Sequence, residues 1–243
     1  MDMKSRLDHS LIRNNILKKL LIALSLATAL GASSTAHAAT ISFADGTGLR
    51  TTNWTSSLLF GKFDTSLGTL TSIKFDLSGT VQGIGNAESM DELPSNVTLT
   101  LGSTLSLRRP DSSTLVLTNP LFSQGFAFSE FDGLINFAGT SGGSTGTVSS
   151  TNSSFFVSSS ASDFAVFSAF GGGSINLALF AQGNSFGSGS GNLVTQFRTS
   201  AAGNALVTYT YTAAEVPEPA SLALLLGGLG LIGLARRRVS KRS

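Results

Sequence analysis

Two runs in this chain, Gly142-Gly143-Ser144-Thr145-Gly146 and Gly183-Asn184-Ser185-Phe186-Gly187, have the Gly-x-Ser-x-Gly spacing that exposes a nucleophilic serine on a strand-to-helix turn. Such a serine needs a base. The two histidines, His9 and His37, both precede Ala38, and the chain has no cysteine. Both runs lie in glycine-serine stretches where the spacing arises from composition, so a serine hydrolase is set aside. Glu130 and Asp132, two apart, are the nearest thing to a glycosidase carboxylate pair, but such pairs come from separate strands and a solvated turn is the plainer reading. No catalytic residue is therefore assigned. Calcium is the one cofactor the composition leaves open, through Asp45-Gly46, the Glu88, Asp91 and Glu92 cluster, and Asp132-Gly133. Asp-Gly is equally what a tight turn prefers, and no Asp-x-Asp-x-Asp loop is present, so no metal ligands are named.

The elements that would position any chemistry lie between two end segments of a different kind. At the amino end, Lys18 and Lys19 precede an apolar run over residues 20–30, and Ala36-His37-Ala38 offers small residues at the two positions a signal peptidase reads. This predicts an export helix over residues 1–38, cut after Ala38. The product has neither His nor Cys, which removes imidazole and thiolate metal sites, Cys-His and Ser-His-Asp catalysis, and disulfides.

At the carboxyl end, Val216, Pro217, Glu218 and Pro219 lead into an apolar segment, 222–235, opened by Leu222 and closed by Ala235, followed by Arg236, Arg237 and Arg238. Fourteen helical residues reach about 21 Å against a hydrocarbon core of about 30 Å. Snorkelling arginines and the three residues before Leu222 bring the segment close to bilayer thickness, which predicts a short transmembrane helix with its basic end cytoplasmic. The prolines hold the preceding stretch extended and accessible.

With both ends removed, residues 39–219 carry six basic and twelve acidic side chains, a net of −6, whereas the whole chain is +2. An acidic product has no electrostatic footprint for nucleic acid. Its apolar residues alternate with period two: Ile73, Phe75, Leu77; Val97, Leu99, Leu101; Leu105, Leu107; Leu115, Leu117; Ile175, Leu177, Leu179; Val207, Tyr209, Tyr211. No stretch shows a helical period. The pattern predicts one all-β domain over residues 39–212, an antiparallel β-sandwich of roughly eight to ten strands, jelly-roll-like. Residues 141–154 and 183–191, almost wholly Gly, Ser, Thr and Asn, read as long loops. Phe126, Phe128, Phe131, Phe155, Phe156, Phe164, Phe167 and Phe170 read as core rather than a sugar-stacking platform, since Trp54 is the single tryptophan.

The order Pro-Glu-Pro, short apolar helix, arginine cluster over residues 213–243 resembles the sorting signal of PEP-CTERM proteins. That resemblance implies an exported protein, held in the inner membrane, processed by exosortase and passed to the cell surface or medium, with a link to exopolysaccharide and biofilm. Phe63-Asp64-Thr65-Ser66-Leu67-Gly68-Thr69-Leu70, Leu77-Ser78-Gly79-Thr80-Val81, Phe137-Ala138-Gly139-Thr140-Ser141-Gly142 and Val207-Thr208-Tyr209-Thr210-Tyr211 resemble the choice-of-anchor E domain over roughly residues 41–212. That family brings no site residues with it. The expected partners are thus signal peptidase, exosortase, the membrane through the carboxyl helix, and exopolysaccharide. A carbohydrate-binding or carbohydrate-active sandwich is the alternative, for which a groove lined by Trp54, Tyr209 or Tyr211 beside carboxylates would speak.

The amino-end reading has a direct check. Mass spectrometry of exported protein is expected to find Ala39 as the first residue, and material retaining Lys18 and Lys19 would contradict the assigned cleavage.

Overall fold

A long strand whose neighbouring side chains point to opposite faces can bury one face and wet the other. In β4 (Gly68–Ser89) Ile73, Phe75, Leu77 and Val81 are buried, and Ser72, Lys74, Asp76 and Ser78 between them are half exposed. The same division runs through β13 (Leu193–Ala213), where Ala201, Ala205, Val207 and Tyr209 point inward. The two strands pair antiparallel from Leu193↔Ser89 to Ala213↔Gly68, with one irregularity at Thr210/Tyr211.

In this computed structural model the described residues are 38–189 and 191–214, and Ala38–Ala214 form one compact unit. The signal segment with Ala36, the motif Val216 to Pro219, the apolar segment from Leu222 to Ala235, and Arg236 to Arg238 lie outside the described residues.

Around the central ladder the first sheet runs β1 (Ala38–Thr51), β13, β4, and then β8 (Gly142–Ser144) and β9 (Val148–Ser158) in tandem along β4. The second sheet has β5 (Ser95–Arg108) at its centre. On one side of β5 lie β11 (Ser174–Gly183) and β12 (Phe186–Ser188), with β2 (Trp54–Gly61) beyond β11; on the other lie β6 (Thr114–Thr118) and β7 (Leu121–Phe128). β3 (Phe63–Asp64) and β10 (Ser168–Ala169) form a short parallel pair, and α1 (Ala161–Phe167) precedes β10. Counting each tandem as one run, the sheets order as first-eighth-third-sixth and second-seventh-fourth-fifth. That is the jelly-roll order of two interlocked Greek keys, as the alternation predicts.

The inner faces meet in one large core of Leu58, Phe60, Ile73, Phe75, Leu77, Leu105, Leu107, Leu177, Leu179, Val207 and Tyr209 among others. A smaller cluster of Ala87, Val97, Leu99 and Phe128 closes one end. Sheet spacing is set at one point by a cross-strand glycine pair, Gly79↔Gly203. A Cβ on Gly79 would lie 2.8 Å from a Leu105 methyl, and one on Gly203 would lie 2.9 Å from the other. Leu105 from the second sheet thus occupies the space that two absent side chains leave in the first.

Several expectations from the sequence need correction. Residues 141–154 are largely strand, not loop, and 183–191 is loop broken by the short strand β12: β8, β9 and β12 are ordered by backbone bonding to β4 and β5 rather than by apolar side chains. Leu115 and Leu117 do not share the buried face. A bulge sets Arg108 against Thr114 and Leu107 against Val116, so Leu115 and Val116 are buried and Leu117 is exposed. The alternations at Val97 and Leu105 belong to one strand, β5, bridged by buried Ser103. Phe128 and Phe167 are core, but Phe155 and Phe170 are 64% and 87% exposed, and Phe156 is also at the surface. One short helix exists where none was expected. Its signal is Ser160-x-x-Asp163, in which the Ser160 hydroxyl accepts from the Asp163 N–H as an N-cap.

Because Leu105 fills the glycine gap, Leu105→Ala is expected to cost roughly 2–5 kcal/mol of unfolding free energy through the cavity it leaves. Gly203→Val should also destabilise by forcing methyls into Leu105 and Leu179. Denaturant unfolding measures both, and a loss under about 1 kcal/mol for either would contradict this packing.

Candidate functional site

The two serine runs fold into strands or strand ends rather than elbows. Ser144 is exposed in β8 and its Oγ accepts from the Gly146 N–H at 3.2 Å. Ser185 lies between β11 and β12, half buried, with Oγ accepting from the Gly102 N–H at 3.1 Å and paired with Thr199 Oγ1 at 3.0 Å. These partners are backbone amides and a hydroxyl, which cannot take a proton from serine. Glu130 and Asp132 sit in the exposed loop after β7, where Asp132 Oδ1 accepts from the Leu134 N–H at 2.9 Å. That bond is the side-chain turn the sequence reading favoured over a carboxylate pair.

The acidic turns are also occupied by the backbone. Asp45 accepts from the N–H of Gly46 and, across the flank of the sandwich, from that of Leu59 in β2, both at 2.7 Å. Glu88 is fully buried and takes three donors: Ser141 Oγ at 2.6 Å, the Phe137 N–H at 2.6 Å and the Asn136 N–H at 3.3 Å. It anchors a turn in which Phe137 adopts a left-handed φ of 58°. Asp91 accepts from Asn192 and Gly191 N–H groups at 2.9 and 3.0 Å, and Glu92 is exposed beside it. Among the described residues no group of three or more His, Cys, Asp or Glu is placed to hold a metal ion.

The aromatic residues a saccharide groove would need are dispersed. Tyr209 is buried, donates its hydroxyl to the Gly61 carbonyl at 2.9 Å and packs against Phe43 and Phe63; burial pushes its phenol pKa up. Tyr211 is half buried against Phe63. Trp54 is buried, with the Arg50 guanidinium 5.6 Å from its ring centre. An open cleft of about 660 Å³ lies among Asn53, Gln82, Ser185, Phe197, Arg198 and Thr199. Its walls offer hydroxyls, amides, one guanidinium and one ring, and no carboxylate.

The strongest electrostatic arrangement is one the sequence reading missed. Arg109, just beyond β5, donates through Nε and Nη2 to the two carboxylate oxygens of Asp163 at 2.7 and 2.9 Å. Ser158 Oγ also donates to Asp163, which is 4% exposed. The guanidinium, then the Ser158 hydroxyl, hold the Asp163 pKa below the usual carboxylate range against the opposing effect of burial, and Asp163 in turn raises that of Arg109. The pair ties the β5–β6 turn to the start of α1. It is a fastening, and its two members lie too far apart in sequence, at positions 109 and 163, for spacing to reveal it.

Against known proteins, residues 215–239 match the PEP-CTERM protein-sorting motif. Among curated proteins none matches the chain. Among solved structures, the VP2 subviral particle of infectious bursal disease virus is similar at 12% identity and a TM-score of 0.19, over 74% of this chain and 37% of that one. A structure of Desmodium yellow mottle tymovirus is similar at 6% identity and a TM-score of 0.18, over 75% of this chain and 93% of that one. The chain thus covers little more than a third of the VP2 chain, and likeness at this level carries no functional argument. Among the described residues no helix is long and apolar enough to cross a membrane, which says nothing about a β-barrel. The sorting motif is therefore the feature with a defined biological reading: export to the envelope with exosortase as processing enzyme.

Removing one partner of a buried, bidentate pair leaves the other charge uncompensated, so Asp163→Ala is expected to cost roughly 3–5 kcal/mol. Because the folded pKa is lowered, the contribution is complete above the unfolded value of about 3.9 and disappears as pH falls through the folded one. Melting temperature against pH should therefore drop more steeply in acid for the wild type than for Asp163→Ala. Parallel curves would contradict the assignment.

Proposed function

We propose that this protein is an exported, exosortase-processed cell-surface or extracellular-matrix protein, non-enzymatic, with its β-sandwich as the delivered part. The observation that carries the reading is the match of the sorting motif to residues 215–239. The compact unit supports it by ending at Ala214, one residue before the motif begins. Signal peptidase removes the leader after Ala38, and the apolar segment from Leu222 to Ala235 holds the chain in the inner membrane until exosortase acts near Pro217-Glu218-Pro219. Arg236, Arg237 and Arg238 act as the cytoplasmic stop.

The sandwich is read as a choice-of-anchor E type domain acting in exopolysaccharide or biofilm. The non-enzymatic part of the proposal draws on the engagement of Ser144, Ser185, Glu88 and Asp132 in fold-forming hydrogen bonds. The carbohydrate-binding alternative loses its particular support, since Trp54, Tyr209 and Tyr211 do not converge on a groove.

In a host that carries exosortase, the carboxyl end of the surface protein is expected to fall between residues 217 and 220. The same strain without exosortase should retain Arg236 to Arg238. Intact tails in both strains would make the segment a permanent anchor and overturn the processing step.

A further inference from the structure

One flank of the sandwich differs from the rest of the surface in charge and in unmet backbone bonding. We propose that this flank, centred on the edge strand β9, is the contact through which two copies of the mature protein pair as a two-fold dimer.

Among the described residues strand β9 bonds only to β4, so along its eleven residues the other side presents N–H and C=O groups that no described strand pairs. Ser153 shows the consequence: its N–H is taken up by the neighbouring Asn152 side chain at 2.9 Å. Exposed edges of this length are ordinarily blunted by charge, proline, bulges or cover. β9 has none of the first two, and residues 133–162 as a whole contain no charged residue and no proline. On the same flank the second sheet ends in β6 and β7, also uncharged from residue 112 to 129. One side-chain bond, Asn152 Nδ2 to the Asn119 carbonyl at 3.3 Å, spans the two edges. The surface here includes Leu117, Leu121, Phe155, Phe156 and Val157, all more than a third exposed.

The opposite flank is treated differently. Its edge β1 carries Asp45 and Arg50 and a register irregularity between Thr47 and Arg50, and Asp45 caps the Leu59 N–H of edge strand β2. Among the described residues the β1 and β2 flank thus carries blunting features that the β9 flank lacks.

A second copy is the occupant that fits. An edge strand pairs antiparallel with its own duplicate about a two-fold axis, which satisfies both sets of backbone groups and closes the assembly at two. The delivered domain has a net charge of −6, so copies repel in general, but β9 itself brings no charge, and Lys74 and Asp76, which lie beside Phe155, pair with each other at 2.6 Å. Neutrality gives an ionic polysaccharide or an anionic membrane surface nothing to hold. The chain's own ends are poor candidates, which rests on the maturation proposed above: the leader is gone, and the remaining stub carries Pro217 and Pro219, which cannot donate to a ladder.

The test uses protein matured by an exosortase-positive host, with both termini read by mass spectrometry so that a failure of processing is seen separately from a failure of pairing. Sedimentation equilibrium is expected to give a dimer. Ser153→Lys, opposite Ser78, and Ser149→Lys, opposite Gln82, should each give a monomer with an unchanged melting curve. Leu59→Lys, on the other flank, should stay dimeric. Because the chain lacks cysteine, single variants Ser149→Cys, Ser153→Cys and Val157→Cys report directly, and mild oxidation should link at least one of them into a covalent dimer while Leu59→Cys stays unlinked. A monomeric wild type with correctly trimmed ends would overturn the proposal. So would a dimer that survives both lysine variants and never cross-links through β9.

Discussion

The antiparallel ladder between β4 and β13 is the constraint on which the rest of this structure depends. It joins residues 68–89 to residues 193–213, so two segments distant in the chain together form the surface on which the other strands pack. β1 adds to the outer side of β13, β8 and β9 to the free side of β4, and the second sheet lies across the inner face through Leu105, Leu107, Leu177 and Leu179. Pairings of such sequence separation carry a large loop-closure cost, which makes a slow-folding chain that stays aggregation-exposed while it folds.

The acidic side chains serve this scaffold more than they serve each other. Asp45, Glu88, Asp91 and Asp132 all accept from backbone N–H groups, and only Lys74–Asp76 and Arg109–Asp163 pair oppositely charged side chains among the described residues. With few basic residues available, carboxylates fasten turns that no disulfide secures. Charge-assisted bonds of this kind are stronger than neutral ones, and they explain why acidic Asp-Gly turns here mimic metal loops in sequence. The sequence signature of a calcium turn and that of a self-capped turn are the same because both rely on carboxylate oxygen.

Most of the sandwich was legible because alternation is a local property. Ile73 to Leu77 and Ile175 to Leu179 announce which face is inside, and length limits the number of layers. What could not be read depends on partners distant in the chain. Residues 149–154 are polar on both faces and become strand because β4 supplies a ladder, while the bulge at Leu115 turns one apolar residue outward that simple alternation would bury. Phe155 looks like core in composition yet lies on an outer face under the Lys74 ammonium, 5.0 Å from its ring centre. The Arg109–Asp163 contact joins a residue of the β5–β6 turn to one in the first turn of α1, far apart in the chain. For the sorting signal the situation reverses: its three parts are contiguous, so the sequence displays it whole, and the fold adds nothing to its recognition.

On the proposed reading, address and cargo are separable: residues 215–243 direct the protein, and the sandwich is what arrives. The most direct measurement is a transplant. Residues 215–243 are fused to an unrelated exported domain in an exosortase-positive host, and the same residues are deleted from this protein. The account predicts that the fusion is trimmed and reaches the surface, while the deleted form leaves the membrane as a free, untrimmed domain. A fusion that remains uncut in the inner membrane while the native protein is processed would contradict it, because the sandwich itself would then be part of the signal.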